Sequence, residues 1–290
     1  MKLITFTHNG KTRIGALSGK KGETVVDLSV AVPSLPQNLK SFLAGGASAL
    51  AKAQAAAANP PAGSTLKLAD VKLQAPILNP GKIICIGLNY RDHAAESNSP
   101  LPPYPIVFAK YANTVLAPGE AIVLPKNSQQ IDYEAEFGVV IGKRARHVSE
   151  ADALNYVGGY LPFHDVSARD YQMRTSQWSM GKTFDTFAPF GPALTTADEI
   201  ADPQTLDIQL SINGEVLQKS NTSNLIFTVQ QLIADLTSVM TLEPGDIIAT
   251  GTPGGVGSAR KPQRWLKAGD VVRIEIAKLG VLENPVVDEA

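Results

Sequence analysis

The run from Ile131 to Gly142 constrains this chain most, because it places two acidic side chains within an apolar segment. Its β-branched and aromatic content is typical of a buried strand, where residues two apart point to the same face. Glu134 and Glu136 therefore share a face, roughly 7 Å apart. Two carboxylates that close in a half-buried site do not both stay ionised without a cation. The pattern predicts a hard divalent metal; the alternative is a solvated outer face of a sheet.

The composition limits the class of protein. A chain of 290 residues is long enough for one large domain, or for a large domain and a small one. The 26 basic and 27 acidic residues leave a net charge of -1, and no basic block interleaves with aromatics, so nucleic acid is not an expected partner. No apolar run is long enough to span a bilayer and no signal-peptide pattern follows Met1, which predicts a cytoplasmic protein without membrane association.

Cys85 is the only cysteine of the chain, which excludes an internal disulfide and a zinc site built on cysteines. It lies within the apolar run Lys82–Gly87, and no activating partner is recognisable nearby. A packed thiol is therefore favoured over a nucleophile.

Residues 1–75 read as a small α+β domain, and Pro76 with the turn at Asn79–Gly81 marks its end. Short β-type runs separated by turns, at Asn9-Gly10 and over residues 19–22, are followed by two helical segments that Asn59-Pro60-Pro61 ends. The predicted strands are Leu3–Phe6, Thr12–Leu17 and Thr24–Leu28, and the predicted helices are Gln37–Leu43 and Ala47–Ala58.

Residues 76–290 read as a second, mainly β domain. Many short β-type runs are interrupted by few helices, so the order does not alternate strand and helix; this disfavours a doubly wound parallel sheet and predicts an α+β, mainly β fold with coiled mixed sheets. The predicted strands are Lys82–Ile86, Ile106–Phe108, Phe137–Ile141, Tyr156–Phe163, Leu206–Ile212, Asp246–Ala249 and Val271–Ile276, with helices at Glu150–Asn155 and Thr228–Ser238.

Further candidate site residues follow the predicted strand at 158–163. Asp165 stands at its end, where an acid serves as a third oxygen ligand or as a helix cap. Arg169 and Gln172 are three apart and share a helical face, which suits a clamp on a substrate carboxylate or carbonyl; the alternative is a surface turn. Lys182 follows Gly181 beside an apolar segment, so it is either drawn inward as a cation for a developing oxyanion or solvent-facing.

Two more segments carry candidate residues. His93 and Glu96 are three apart on a predicted helix, so the carboxylate can orient the imidazole as a general base, although such pairs are often incidental. The run Gly251–Gly257 lacks the Gly-Lys-Ser/Thr ending of a P-loop and the spacing of a Rossmann motif. Its amides and the Thr252 hydroxyl are better suited to a small anion.

Five motifs together resemble the fumarylacetoacetate hydrolase superfamily over about residues 76–287. In chain order they are Gly-Leu-Asn-Tyr-x-x-His-x-x-Glu, Asp-Tyr-Glu-x-Glu-x-x-x-Val-Ile-Gly, His-Asp-x-x-x-Arg-Asp-x-Gln, Gly-Lys-x-Phe-Asp and Thr-Gly-Thr-Pro-x-Gly-Val-Gly. The resemblance implies a mixed β-roll catalytic domain behind a small N-terminal domain, usually assembled as a homodimer.

The resemblance also implies roles for the site residues. It implies Mg²⁺ or Mn²⁺, with Ca²⁺ as an alternative ion, and a mobile lid formed by the helix that carries His93 and Glu96. The implied metal ligands are Glu134, Glu136 and Asp165; the implied catalytic residues are His93, Glu96 and Lys182; and the implied substrate-binding residues are Tyr90, Arg169, Gln172 and Thr252.

The predicted activity is metal-dependent hydrolysis of a carbon–carbon bond in a small 1,3-diketo or 2-oxo acid of the acylpyruvate or fumarylpyruvate type. Lys182 and Arg169 would hold the charge that appears on oxygen, and His93 would activate water. Oxaloacetate decarboxylation and keto–enol tautomerisation or isomerisation are alternatives on the same scaffold, and a non-catalytic metabolite-binding protein is a third. Residues Ser97–Tyr104, with Tyr171, Met173 and Trp178, are expected to line the variable end of the pocket.

Overall fold

The structure is a computed structural model that describes residues 1–19 and 22–290, so the turn predicted over residues 19–22 lies partly outside the described residues. The first part of the chain contains, in order, β1 (Lys2–His8), β2 (Lys11–Ser18), β3 (Thr24–Asp27), α1 (Leu28–Ala31), α2 (Leu39–Ala44), α3 (Gly46–Ala58), β4 (Thr65–Lys67) and β5 (Lys72–Gln74).

The remaining elements follow in two groups. Up to the middle of the chain they are β6 (Ile83–Gly87), α4 (Arg91–Glu96), β7 (Ile106–Lys110), β8 (Val115–Leu116), β9 (Ile122–Leu124), β10 (Ile131–Asp132), β11 (Ala135–Ile141), β12 (Val157–His164), β13 (Ser167–Ala168), α5 (Arg169–Gln172) and α6 (Ser179–Lys182). Beyond it are β14 (Ala188–Pro189), β15 (Leu194–Thr196), β16 (Asp207–Ile212), β17 (Glu215–Asn221), α7 (Val229–Val239), β18 (Ile247–Ala249), β19 (Val271–Ile276) and β20 (Gly280–Asp288).

Two large mixed sheets dominate the described residues. The longer has the order β4-β3-β2-β1-β15-β12-β11-β18-β6-β7, with β5 paired to β1, and the other has the order β17-β16-β19-β20-β9. Most neighbours are antiparallel, but β18 pairs with β6 and β20 with β9 in parallel. Strands of one sheet come from distant parts of the chain. The mainly β, α+β fold class is confirmed.

The N-terminal strands are hydrogen-bonded into the longer sheet. Strand β1 pairs with β15, which places Lys2 opposite Thr195 and Leu3 opposite Leu194. The first 75 residues thus share a continuous sheet with the rest of the chain. Their independence as a domain stays a prediction.

The centre of the fold is the antiparallel pair β11 and β12, because it lies inside the longer sheet and is covered on both sides. Every residue of β11 is buried, and Phe137 stacks on Tyr160 with ring centroids 5.1 Å apart. A strand buried on both faces needs a near-continuous apolar run, and Val139–Ile141 supply it.

Two local predictions need correction. The strand predicted to carry both glutamates is interrupted: β10 ends at Asp132 and β11 begins at Ala135, so Glu134 lies in the break. The helix predicted at Glu150–Asn155 is a 3₁₀ helix, Glu150–Tyr156, whose N-cap is the Ser149 side chain. Within the part of the chain that the structure describes, no helix has both the length and the apolar character needed to cross a membrane.

Candidate metal and substrate site

Three carboxylates from two neighbouring strands meet in the interior. Oxygen atoms of Glu134, Glu136 and Asp165 all lie within 4.8 Å of one another, and all three side chains are buried. Glu136 projects from β11, Glu134 precedes that strand, and Asp165 follows its partner β12. The Asp165 amide donates to the Glu134 carbonyl at 3.0 Å, which holds the two segments together. The structure thus brings together the three residues predicted as metal ligands.

Basic side chains surround the acids. Lys182 Nζ donates to Glu134 Oε2 and to Asp165 Oδ2, both at 2.8 Å, and it is 2 % exposed, so the inward orientation is found. The Arg169 guanidinium donates to Glu134 Oε1 at 2.6 Å and to Asp132 Oδ2 at 2.8 Å. It also donates to Gln172 Oε1 at 2.8 Å, which joins the two residues predicted as a clamp.

Lys110 and Asp132 belong to the same cluster and were not predicted. Lys110 Nζ donates to Asp165 Oδ1 at 2.5 Å and to the Val166 carbonyl at 2.9 Å, and the residue is buried. Its position at the end of β7, four residues after Ile106, puts it on the strand face that turns inward. That spacing was the available signal for Lys110.

Together these side chains form what we call the buried charge cluster: Lys110, Asp132, Glu134, Glu136, Asp165, Arg169 and Lys182. It holds four carboxylates against three cations among the described residues. Burying a charged group is unfavourable unless a group of opposite charge lies close to it, so the partners of each acid matter.

The pKa shifts separate the two glutamates. Burial acts to raise the pKa of Glu134, but the neighbouring Arg169 and Lys182 charges outweigh it and the pKa is lowered. Burial, with the negative charges of Asp165 and Glu134, raises the pKa of Glu136 well above its usual value. Burial acts to lower the pKa of Lys182, yet Asp165 and Glu134 raise it, so its ammonium form is favoured.

Two glycines allow the close approach that the site needs. A Cβ on Gly181 would lie 2.4 Å from the Gln172 amide nitrogen, so glycine there lets α6 pack on α5 and brings Lys182 inward. Gly251 has φ +103°, a backbone conformation that residues other than glycine rarely adopt. Its amide donates to Glu136 Oε2 at 2.9 Å.

The helix α4 is fastened to the glycine-rich turn. His93 Nδ1 lies 2.7 Å from Glu96 Oε1, while Glu96 Oε2 accepts from the Gly255 amide at 2.7 Å. Asp92 accepts from the Gly254 amide at 3.3 Å. Because a carboxylate accepts, Nδ1 carries the proton and the other ring nitrogen of His93 is left to act as a base.

A cavity of about 620 Å³ opens beside the charge cluster. Most predicted site residues reach its wall: His93, Glu134, Glu136, Arg169, Gln172, Lys182 and Thr252. Of the residues expected at its variable end, Ser97, Ser99, Met173 and Trp178 line it.

Several predicted residues do not line the cavity in the part of the chain that the structure describes: Tyr90, Glu96 and Asp165 of the predicted site, and Tyr171 and most of Ser97–Tyr104 of the expected variable end. Tyr90 is fully buried, its hydroxyl has no hydrogen-bond partner, and burial raises its pKa above the usual value. Tyr171 is partly buried beside the core, where it packs edge-on against Phe184. Tyr104 is 76 % exposed.

The donor set of the cluster suits a hard dication. Three carboxylates offer oxygen ligands within 4.8 Å of one another, which is the chemistry that Mg²⁺ and Mn²⁺ prefer. Glu136 accepts one hydrogen bond, from the Gly251 amide, and contacts no cationic side chain among the described residues. The cluster has one more carboxylate than cations among the described residues, so it carries one excess negative charge. A dication bound together with a singly charged anionic ligand would balance that charge.

The family model for the C-terminal domain of fumarylacetoacetate hydrolase matches residues 82–287. The chain therefore belongs to the fumarylacetoacetate hydrolase family. It is 47% identical over 291 residues to oxaloacetate tautomerase fahd2 of Xenopus laevis, a mitochondrial protein, covering 99% of this chain and 90% of the relative. The human mitochondrial oxaloacetate tautomerase FAHD2A is 45% identical over 292 residues, covering 99% of this chain and 92% of the relative.

A solved structure adds a metal and a ligand to the comparison. Maleylpyruvate hydrolase from Sphingobium sp. SYK-6, in complex with manganese(II) and pyruvate, superposes with a TM-score of 0.83 at 31% identity and full coverage of both chains. With tautomerases and a hydrolase as relatives across its length, the protein is an enzyme. The predicted cytoplasmic location is wrong by the same comparison, because the similar tautomerases are named mitochondrial. The predicted homodimer stays a prediction.

Proposed function

We propose that the enzyme interconverts the enol and keto forms of oxaloacetate. The observation that carries this proposal is the 47% identity, over 99% of the chain, to a protein named oxaloacetate tautomerase. The cavity supports it, because buried cations and a histidine face one space of about 620 Å³, ample for a four-carbon diacid.

Tautomerisation moves one proton between C3 and the oxygen on C2, so it needs a base at C3 and positive charge near that oxygen. His93 is the proposed base: its Nδ1 lies 2.7 Å from Glu96 Oε1, which leaves Nε2 to take a proton from C3 of the keto form and deliver it to the oxygen on C2. The reverse transfer, from that oxygen to C3, converts the enol to the keto form. Lys182 donates two of its three N–H groups to carboxylates and lines the cavity, so the third is available to the C2 oxygen.

Glu134, Glu136 and Asp165 are the proposed ligands of Mg²⁺ or Mn²⁺. When bound, the ion would supply Lewis-acid polarisation of the 2-oxo group. The chain's own residues do the rest. Arg169 fixes Glu134, Gln172 holds Arg169, and both border the space for the substrate carboxylate. Docking of α4 on Gly255 keeps water from the reacting carbon.

The test is the rate at which enol oxaloacetate converts to the keto form, followed by ultraviolet absorbance with added Mg²⁺ or Mn²⁺. We expect acceleration well above the spontaneous rate, lost on chelation and restored by metal. Glu150→Ala, at an exposed residue, is the matched control for variants of the trio. A rate equal to the spontaneous one under all metal conditions would refute the proposal.

Hydrolysis of an acylpyruvate is the second candidate, favoured by the His93–Glu96 pair, which serves equally to deprotonate water. The similarity to a maleylpyruvate hydrolase with bound pyruvate supports it. Product analysis separates the two: a hydrolase releases pyruvate from acylpyruvates, whereas a tautomerase returns oxaloacetate with its carbon skeleton intact. Release of CO₂ from oxaloacetate would indicate decarboxylation instead.

A further inference from the structure

Gln218 joins three parts of the site from a different sheet. It lies on β17, in the five-stranded sheet, and is 1 % exposed. Its Oε1 accepts from the Ala135 amide at 2.9 Å, between the two glutamates of the trio. Its Nε2 donates to the Pro253 carbonyl at 2.8 Å and to Thr252 Oγ1 at 2.9 Å.

These partners fix which way the amide of Gln218 points. A backbone N–H only donates, so the Ala135 side must face the amide oxygen. A carbonyl only accepts, so the Pro253 side must face the amide nitrogen. The Thr252 oxygen, reached by the same nitrogen, is therefore an acceptor in this contact.

The direction of that hydrogen bond decides what the Thr252 hydroxyl offers. A hydroxyl that accepts from one partner keeps its own proton for another. Among the residues that the structure describes, the Thr252 hydroxyl donates to none, and Thr252 lines the cavity. Its proton is left for a ligand oxygen.

We infer that Gln218 is a positioning residue that turns the Thr252 hydroxyl proton into the cavity, where it donates to a carboxylate oxygen of a 2-oxo acid. The inference rests on the proposed function only for the class of ligand. It assigns a task in substrate binding to a residue that touches no substrate, and it links the second sheet to the wall of the cavity.

The test measures pyruvate binding by calorimetry to Mn²⁺-loaded protein, so it needs no turnover. Four proteins form a cycle: wild type, Gln218→Met, Thr252→Val and the double variant. A hydrogen bond to a charged acceptor is worth roughly tenfold to a hundredfold in affinity, so we expect each single variant to weaken pyruvate binding by about tenfold or more. In the Thr252→Val background, Gln218→Met should weaken it by less than about twofold.

Mn²⁺ affinity and melting temperature are measured for every variant, because Gln218 also holds the amide between two proposed ligands. Additive losses in the cycle would overturn the inference and indicate a structural role. So would a wild type that binds no pyruvate. Gln209→Met, on the paired strand β16, is the matched control and should leave pyruvate binding unchanged.

A second variant covers the case in which Gln218→Met fails to fold. Gln218→Glu keeps an acceptor for the Ala135 amide and removes both donors, so the Thr252 hydroxyl turns its proton to the new carboxylate. Pyruvate binding should again weaken by about tenfold, and unchanged binding with full Mn²⁺ loading would overturn the inference. If pyruvate binding follows the cycle but oxaloacetate is not tautomerised, the proposed function fails and the role of Gln218 stands.

Discussion

The N-terminal strands and the cavity wall both bury charge, but they balance it differently. At the end of β3, Asp27 is 2 % exposed, and its Oδ2 lies 2.6 Å from Nε of Arg13 on β2. Its other oxygen accepts from the Ser29 amide at 3.0 Å and caps α1. In the buried charge cluster, by contrast, the described residues supply four carboxylates and three cations, and Glu136 contacts none of those cations.

The difference shows which burial serves the fold and which serves chemistry. When a buried acid pairs with a cation and also accepts a hydrogen bond from a backbone amide, these contacts largely offset the cost of removing it from water. Such an acid holds two segments of the chain together. A buried acid without a cation costs stability unless something else supplies positive charge. The N-terminal pair balances its own charge, whereas the cluster has one carboxylate more than it has cations among the described residues, as the proposed dication site requires.

The largest effect should follow from removing Glu136, which contacts none of the cations of the cluster among the described residues. Glu136→Ala takes one of three proposed oxygen ligands, so we expect Mn²⁺ affinity to fall below detection in calorimetry and metal-dependent turnover to be abolished. Glu150→Ala is the control. Unchanged Mn²⁺ affinity in the Glu136 variant would remove the trio as the metal site.

Replacing the proposed base should affect turnover and spare the metal. His93→Ala is expected to lower kcat by roughly two to four orders of magnitude, the usual contribution of a general base, because it removes the imidazole that Glu96 orients at the cavity. Mn²⁺ affinity should be retained. His8→Ala, at the end of β1, is the control; equal rates for the His93 variant and wild type would exclude His93 as the base.

Sequence periodicity was enough to identify Glu134 and Glu136 as a pair. It did not identify residues that reach the site through pairing between strands distant in the sequence. Glu134 and Glu136 were predicted to share a site because they are two apart in an apolar run, although the strand in fact breaks before Ala135. Lys110 reaches the cluster because β6 pairs with β18 and β7, and Gln218 reaches the Ala135 amide, between the two glutamates, from another sheet. Alternation along β7 indicates that Lys110 turns inward, but the strand pairings depend on the whole chain, so no short motif reports which residues it meets.

The continuity of the longer sheet also depends on pairing between strands that are distant in the sequence. The turns of the first 75 residues predicted β1, β2 and β3 but not the short strands β4 and β5. The pairing of β1 with β15 joins residues nearly two hundred positions apart. Composition and turn signals describe single strands. Which strand lies beside which is decided by packing across the whole molecule.

Lys110 provides the next test of the comparison, because it balances Asp165 inside the cluster. Lys110→Met leaves that carboxylate with Lys182 alone, and breaking a buried ion pair typically costs about 3–5 kcal/mol in the free energy of unfolding. Urea denaturation of metal-free protein measures it. Adding Mn²⁺ should reduce the loss, since the ion replaces part of the missing charge.

The control for this variant is Lys72→Met. Lys72 pairs with Glu120 at 2.7 Å, but 63% of its side chain is exposed, so its loss should change stability by less than about 1 kcal/mol. Equal effects from Lys72 and Lys110 would contradict the claim that burial makes the cluster's ion pairs costly to break.

Asp27 tests the other side of the comparison. Asp27→Ala removes the ion pair with Arg13 and the cap of α1, so we expect the free energy of unfolding to fall by about 2 kcal/mol with kcat and KM unchanged. Asp27→Asn retains the cap acceptor and should lose less. A change in Mn²⁺ affinity in either variant would show that the N-terminal charges are coupled to the site.

Cys85 should give the smallest effect. It is fully buried on β6, and burial raises the pKa of its thiol well above the usual value, so no thiolate forms at neutral pH. Cys85→Ala removes one sulfur atom from the core, which should cost about 1 kcal/mol of stability and leave kcat within about twofold of wild type. Turnover and thermal denaturation measure the two. Loss of activity in a folded, metal-loaded Cys85 variant would mean that the thiol takes part in the chemistry, and packing would no longer explain its presence beside the cluster.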